Sequence, residues 1–478
     1  MNTPKEIFKE YETSRNFKLS LGEKGLYSQN EINRRFYMGD QWYGANVGSD
    51  RPLVRHNIVR RIGEYKMGEL ISDKTRIRFT AEGISYLNKE NEDSLALKSQ
   101  VASGKYTFKE NADDNEIRLL SQALSDYLDI TNQKLHFGSK TADILRNSFV
   151  SGTGVLYTYW DNDAENEKGD IACEVLPVEN VYFADYSEED TEKQPYIILV
   201  THCDTQTLKH TAAMWGGEPE KIKSDSYSDT KTTVFTKLYK HYKENACNVM
   251  AVCVTETAVV RPAYNTHLSR YPINIFQWEK RDGCILGESE VTHLLPNQIA
   301  INRMLTAHVW ASMSMGMPIM TVNGDTVAGE ITNDPGQIIK IYGTNEDVAG
   351  AIRFVSPPDF STNFSTGISD LITNTLESSG AGMTTLGKIN YNNTAAIQSL
   401  SQVAGVSMAS LVLRYRTFLE EIALLWLDFW KVKYGKRSIL IEDENGQWYF
   451  PFDSSRYLNV HFHAKAIKEE TNESQSTL

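Results

Sequence analysis

Ser378-Ser379-Gly380-Ala381-Gly382-Met383-Thr384-Thr385-Leu386-Gly387-Lys388-Ile389-Asn390-Tyr391-Asn392-Asn393 is the stretch around which the chain is arranged. It is small and polar, and its one cation is Lys388. Helix-forming sequence lies on both sides, residues 367–377 before it and about 394–433 after it. A cluster of Gly, Asn and Ser between two periodic segments marks a loop, here at the tip between two helices.

The loop also comes close to a phosphate-binding motif. Gly382-Met383-Thr384-Thr385-Leu386-Gly387-Lys388 fits seven positions of a P-loop, but Ile389 stands where Ser or Thr would hold Mg²⁺. A P-loop also follows a strand and opens a helix. This stretch follows a helical pattern, and residues 390–393 delay the next one.

Beyond the loop runs a sustained apolar stripe at i, i+3/i+4 spacing: Ile397, Leu400, Ala404, Met408, Leu411, Tyr415, Phe418, Ile422, Leu425, Phe429 and Val432. About 40 residues make a helix of ~60 Å, with Gly405 as a kink site. A helix this long needs neighbours along its length, from a bundle or from a ring of subunits. Strands are expected at 438–441 and 458–462, then a polar tail.

Ahead of the loop, Gln298, Ile301, Leu305, His308, Val309 and Ser312 predict a helix over 296–315, with Pro296 in its first turn. Residues 317–358 read as a small β-rich insertion with strands at 318–322, 337–341 and 352–355. Its acids Asp325, Glu330, Asp334, Glu346 and Asp347 outnumber Lys340 and Arg353. A second helix follows before the loop. On it Asp370 and Glu377 are seven apart and share a face.

The first half reads as α+β. Helices are expected at 5–38 and 115–150 and near 204–215, and antiparallel strands at 155–160, 171–176, 180–183, 196–200, 234–239 and 249–254. Residues 82–115 read as a polar insertion. Arg51, Arg55, Arg60, Arg61 and Lys66 form either a solvated helix face or a phosphate-binding one. The acidic turn at 161–169 lacks the Gly and Glu of a calcium loop, having Asn166 and Ala172 there. His202 beside Cys203, and His461 with His463, lack partners for a tetrahedral metal site. No cofactor motif and no catalytic pair emerges, and no enzymatic activity is expected.

The 478 residues carry a net charge of −13, so the surface as a whole is not built to grip nucleic acid. Cys173, Cys203, Cys247, Cys253 and Cys284 are odd in number and contain no C-x-x-C, which points to free thiols in a reducing compartment. The most hydrophobic run, 418–430, holds Glu420, Glu421 and Asp428 and is too short to span a bilayer. A soluble protein is expected, without a membrane partner.

The order of these parts resembles the portal proteins of tailed bacteriophages. The resemblance rests on Phe36-Tyr37-Met38-Gly39-Asp40-Gln41-Trp42, Asn57-Ile58-Val59, Leu176-Pro177-Val178-Glu179-Asn180-Val181-Tyr182-Phe183-Ala184-Asp185, Tyr271-Pro272, Gly287-Glu288-Ser289 and Asn297-Gln298-Ile299-Ala300-Ile301-Asn302-Arg303. It covers about residues 30–465. It implies a portal-type α+β fold: a wing at 1–286, stem helices at 287–316 and 359–379, and a clip at 317–358. A tunnel loop at 380–393, a long kinked wing helix at 394–435 and C-terminal wing strands at 436–478 would complete it, with a short or absent crown.

It further implies a homo-oligomeric ring, usually of twelve copies, at one capsid vertex of a virion assembled in the host cytoplasm. Double-stranded DNA would pass through it without sequence preference during packaging and ejection. The implied channel residues are Thr384, Thr385, Lys388, Asn390 and Asn392 of the tunnel loop, with Asp370 and Glu377 lining the stem. Asp325, Glu330, Asp334, Glu346 and Asp347 would dock the terminase large subunit and later head-completion or adaptor proteins. Major capsid and scaffolding proteins would be further partners. A dozen copies at −13 each make a strongly acidic ring, which lets a polyanion slide without capture. Two other readings compete: a nucleotide hydrolase using 382–388, and another virion structural or scaffold protein.

Overall fold

In the computed structural model the described residues are 3–46, 52–73, 75–81, 100–101, 114–164, 168–225, 227, 230–243, 246–315, 319–325, 327–328, 331, 338–344, 350–355, 362–381, 394–443, 446–458 and 460–468. They form an α+β protein. It divides into two compact units, residues 1–34, 63–293 and 391–478 in the first and 35–62 and 294–390 in the second.

The first unit opens with α1 (Pro4–Ser20). Thr3 and Glu6 cap it reciprocally, and Pro4 sits where a missing N–H costs nothing. The expected single helix over 5–38 is in fact two, α1 and α2 (Leu26–Met38). Gly22 and Gly25 between them adopt φ of 72° and 75°, which break the helical path. After α3 (Ile58–Ser72) and β1 (Thr75–Ala81), the helical stretch expected at 115–150 is likewise two helices, α4 (Asp114–Lys134) and α5 (Phe137–Ser151). His136, with φ 49°, makes that corner.

Two antiparallel sheets follow. One has the order β3-β2-β9, from β2 (Thr153–Asp161), β3 (Asp170–Leu176) and β9 (Ile273–Gln277). The other is the meander β4 (Val181–Phe183), β5 (Tyr196–Asp204), β6 (Lys231–Lys243), β7 (Ala246–Val254) and β8 (Val259–Asn265). Between β5 and β6 lies α6 (Thr205–Met214), capped by Asp204.

Strand alternation assigns the two faces of the meander. Val181, Phe183, Ile197 and Leu199 join a core with Val155, Leu176 and Ile273 of the other sheet. Tyr182, Ile198 and Val200 turn the other way, onto Ile7, Phe8 and Tyr11 of α1. Gly152, at φ 82°, lets the backbone at Gly287 approach so closely that a Cβ would lie 2.4 Å from the Gly287 oxygen.

The second unit contains most of α7 (Glu290–Met315), four short strands and α8 (Thr362–Ser378). Helix α7 begins six residues before the expected start, with Pro296 inside it. The site where a proline N–H is missed is thus within the helix and not at its first turn. Strand β10 (Ile319–Val322) pairs with β13 (Ile352–Val355), and nested inside them β11 (Val327–Ala328) pairs with β12 (Lys340–Ile341).

Helix α9 (Thr394–Lys433) has 40 residues and belongs to the first unit. From Met408 onward its buried side includes Leu411, Tyr415, Phe418, Ile422, Trp426 and Trp430. Trp426 meets Phe137 edge-on, and Trp430 meets Phe79 and Tyr127. The hairpin β14 (Lys436–Asp443) and β15 (Gly446–Asp453) follows, then α10 (Ser454–Tyr457) and β16 (Phe462–Lys468). The strand expected at 458–462 is therefore displaced, and His461 lies outside β16, so it does not share a strand face with His463. Strand β16 closes on β1, from Thr75 opposite Lys468 to Ala81 opposite Phe462.

Lys18 is the least expected core residue, fully buried on α1. Its Nζ donates to the carbonyl oxygens of Val178 and Val181, each at 2.6 Å, and of Glu179 at 3.2 Å, and lies 3.9 Å from the centre of the Tyr182 ring. It fastens α1 to the irregular turn before β4. Burial pushes its pKa from 10.5 to about 7. Lys18→Met leaves three carbonyls without their donor and should lower stability by about 2–4 kcal/mol in chemical denaturation. The unfolded chain binds a proton between pH 7 and 10.5 that the folded one does not. The excess stability of the wild type over Lys18→Met should therefore grow as pH rises through that window.

Candidate functional site

The two long helices of the second unit are α7 and α8, and their pairing is read from two contacts. Asn297 Nδ2 donates to Thr375 Oγ1 at 3.2 Å, and the His308 ring stacks on Phe364 with centroids 6.3 Å apart. As numbering rises along α7 it falls along α8, so the two run antiparallel for at least ~16 Å.

Helix α8 is two-faced. Ile368, Thr375 and Leu376 are buried, whereas Thr366, Ser369, Asp370, Asn374 and Glu377 are exposed. Its sequence contains no Lys or Arg. The exposed face is thus made of hydroxyls, an amide and two carboxylates, and Asp370 and Glu377 lie on it two turns apart.

The far side of α7 is tied down by polar side chains. Gln298, Asn302 and Thr306 recur every four residues and are all buried. Gln298 Oε1 accepts from the backbone N–H of Ile58 at 2.9 Å and of Val59 at 3.2 Å. Its Nε2 donates to the His56 oxygen at 2.6 Å and to Asn302 Oδ1 at 3.1 Å. Asn302 Nδ2 donates to Gln41 Oε1 at 2.8 Å, and His56 N donates to Asn302 Oδ1 at 3.1 Å. Thr306 Oγ1 accepts from Val54 N, and Trp42 Nε1 donates to the Val54 oxygen, both at 3.1 Å. Asn57 Oδ1 completes the cap, accepting from Arg60 N at 2.9 Å.

Three segments that look unrelated in sequence, 41–42, 54–60 and 298–306, thus meet in one network. Sequence reasoning misses Gln41, Gln298 and Asn302 as site residues. The i, i+4, i+8 spacing of Gln298, Asn302 and Thr306 is the signal that could have found them.

At the β tip, Asp325 is exposed, its N–H donating to Asn323 Oδ1 at 3.1 Å in an Asx turn. Glu330, Asp334, Glu346 and Asp347 lie outside the described residues, as do Thr384, Thr385, Lys388, Asn390 and Asn392. Ahead of the 382–388 motif stands a helix, α8, and not the strand that a P-loop requires.

The basic run separates. Arg55 and Arg60 are exposed. Lys66 instead forms a largely buried pair with Glu290, 2.6 Å apart, and Trp278 Nε1 donates to the second Glu290 oxygen at 2.7 Å. Lys66 therefore belongs to the core of the first unit and to no phosphate-binding face. Arg51 lies outside the described residues. Among the described residues no group of three or more His, Cys, Asp or Glu could hold a metal ion, and His202 is engaged by Thr233 and Tyr227. All five cysteines are unbridged, and no described helix is long and apolar enough to cross a membrane.

Gln298→Leu keeps the volume and removes the cap. It should cost about 2–4 kcal/mol and expose the Ile58 and Val59 amides to exchange, which hydrogen–deuterium exchange reads directly.

No protein-family model matches the chain, and no curated protein matches it.

Proposed function

We propose that the chain is the subunit of a portal-type ring, an assembly of about a dozen copies through which duplex DNA passes during packaging and ejection at a capsid vertex. The observation that carries this reading is the exposed face of α8, polar, acidic and without a cation along 17 residues. Such a face offers no replacement for the counterions of DNA, so a duplex would pass it without being held. The order antiparallel helix, nested β tip, antiparallel helix, Gly-rich loop and 40-residue helix supports the same reading.

The second unit also leaves large apolar side chains uncovered in a single chain. Trp310, Met313, Ile338 and Tyr342 are 41–88 % exposed. Packing against further copies would cover such residues at the end of α7 and on the tip. The tip, with Asp325, is the part assigned to docking the packaging motor and later head-completion proteins. Lys388 would supply the loop's one cation to phosphates in transit. The reaction class is mechanical passage, and no catalytic residue or cofactor is assigned.

Negative-stain images of the purified protein should show rings with a central hole. Monodisperse monomers at high concentration would overturn the reading.

A second measurement addresses the face itself. Replacing Asp370 and Glu377 by Lys should raise duplex affinity at low salt. Each phosphate newly neutralised by a lysine should steepen the dependence of log K on log salt by ~0.9. Fluorescence anisotropy at two salt concentrations checks it, and unchanged affinity would mean that this face does not meet DNA.

A further inference from the structure

Strand β9 is an outer strand of its sheet and pairs with β2 alone. Just beyond its two ends, Trp278 N donates to the Gly152 oxygen and Thr158 N to the Pro272 oxygen, both at 3.0 Å. Bonded and non-bonded pairs alternate along an antiparallel ladder, so these two bonds fix its phase. Counting inward from either end gives the same answer. Gly154 with Phe276 and Leu156 with Asn274 are the bonded pairs. The backbone N–H and C=O groups of Ile273, Ile275 and Gln277 therefore point away from β2. Among the described residues no strand, loop or side chain takes them.

An uncovered edge is an exception in the first unit. On the ribbon of β1 and β16, Ser125 Oγ accepts from Phe79 N at 2.9 Å and Glu420 Oε1 accepts from Ala466 N at 2.8 Å. Both edges of that ribbon are thus answered by side chains, a usual protection of strand edges. The β9 edge runs instead along a cleft. Ile273, Ile275 and Gln277 line a cavity of about 500 Å³ together with Ile285, Glu421 and Leu425. At ~3.4 Å per residue the strand offers about 17 Å of edge.

The cleft has two unlike sides. Phe276 meets Tyr415 and Phe418 of α9, with ring centroids 6.1 and 5.5 Å away. Glu421 and Leu425 follow Phe418 by one and two turns on that side. Ile273 and Ile275 turn the other way, into the core that contains Ile285, and Gln277 Nε2 donates to the Ile285 oxygen at 2.6 Å. A strand laid beside β9 would send alternate side chains to these two sides.

The α9 side favours a cation. The other carboxylates of the wall, Glu189, Asp190 and Glu192, are held by Lys280, Lys193 and Lys240. Glu421 makes no salt bridge among the described residues. Desolvation raises its pKa; Arg270 opposes this, and Asp190, Glu192 and Glu420 add to it.

We propose that β9 accepts an extended basic segment of another protein as an added antiparallel strand, with Lys or Arg directed to Glu421 and apolar side chains directed to Ile285. Main-chain bonds to Ile275 and its outward neighbours supply affinity, and the two sides of the cleft supply selectivity. An acidic segment would bring like charge to Glu421, and a small ligand would leave most of the edge unpaired. The site belongs to the first unit alone and does not rest on ring formation or DNA passage.

Isothermal titration calorimetry of the full chain at low salt tests it with the acetylated, amidated pentapeptide Val-Lys-Val-Lys-Val. Residues directly opposite in an antiparallel pair share a face, so a valine opposite Ile275 exchanges bonds with it and the lysine nitrogens point outward. N-methylation of the valines should weaken binding tenfold or more, whereas N-methylation of the lysines should leave it unchanged. Val-Glu-Val-Glu-Val, and the parent peptide on Glu421→Lys, should each bind at least tenfold more weakly. Ile275→Pro removes an outward N–H, leaves the β2 bonds in place and should lower affinity similarly. Circular dichroism reports whether that variant folds; if it does not, the methylated peptides decide. Absence of binding at millimolar concentration, equal affinity of the two methylated peptides, or unchanged affinity in Glu421→Lys would each overturn the proposal. Self-association of the chain that the peptide displaces would assign the edge to a second copy and overturn the proposed occupant.

Discussion

The first turn of a helix presents N–H groups with no partner inside the helix, and at Ile58 and Val59 they are answered by a side chain some 240 residues on. Gln298 does this with its oxygen, while its nitrogen holds the His56 carbonyl and Asn302. The second unit is organised by this exchange. It places Gln41, His56, Ile58 and Val59 along α7 through directional bonds that an apolar contact would not specify. A buried amide network of this kind is stable only if nearly every member is satisfied, so its parts are interdependent. The opposite side of α7 is then available to α8, through Asn297 with Thr375 and His308 with Phe364.

Much of the fold was legible because periodicity reports burial. The stripe from Ile397 to Val432 predicts a helix that the structure gives as Thr394–Lys433, and the strands of the meander follow from their alternation. The misreadings have local causes. Positive φ at Gly22 and Gly25, and at His136, breaks helices whose side-chain pattern runs on without interruption. Pro296 marks a helix start by its preference, yet α7 carries it internally because the helix is already established from Glu290. The pairing of β1 with β16 has no local signature, since it joins segments from opposite ends of the chain.

The candidate site was legible in part. The shared face of Asp370 and Glu377 follows from helical spacing, and the exposure of that face is what the structure adds. Lys66 shows the limit of a charge run as evidence. It stands among arginines in sequence, but Glu290 draws it into the core, and only the fold brings those two together. Gln298 and Asn302 stand out in the sequence through a family resemblance and not through their chemistry. A polar residue every fourth position in a helix is usually a solvated face, and here the segment packed against it is itself rich in unpaired backbone groups.

Among the described residues strand β1 pairs only with β16, and the two are separated by most of the polypeptide. During synthesis, residues 75–81 leave the ribosome long before residues 462–468 exist. At ~5–20 residues per second the delay is on the order of tens of seconds. Throughout that interval the first strand has an open edge, which other nascent copies could pair with. Its arginines, Arg76 and Arg78, are charges of the kind that discourage such pairing while the strand waits. The closure then reports that translation has reached β16, so a copy truncated before it would carry an unfinished edge.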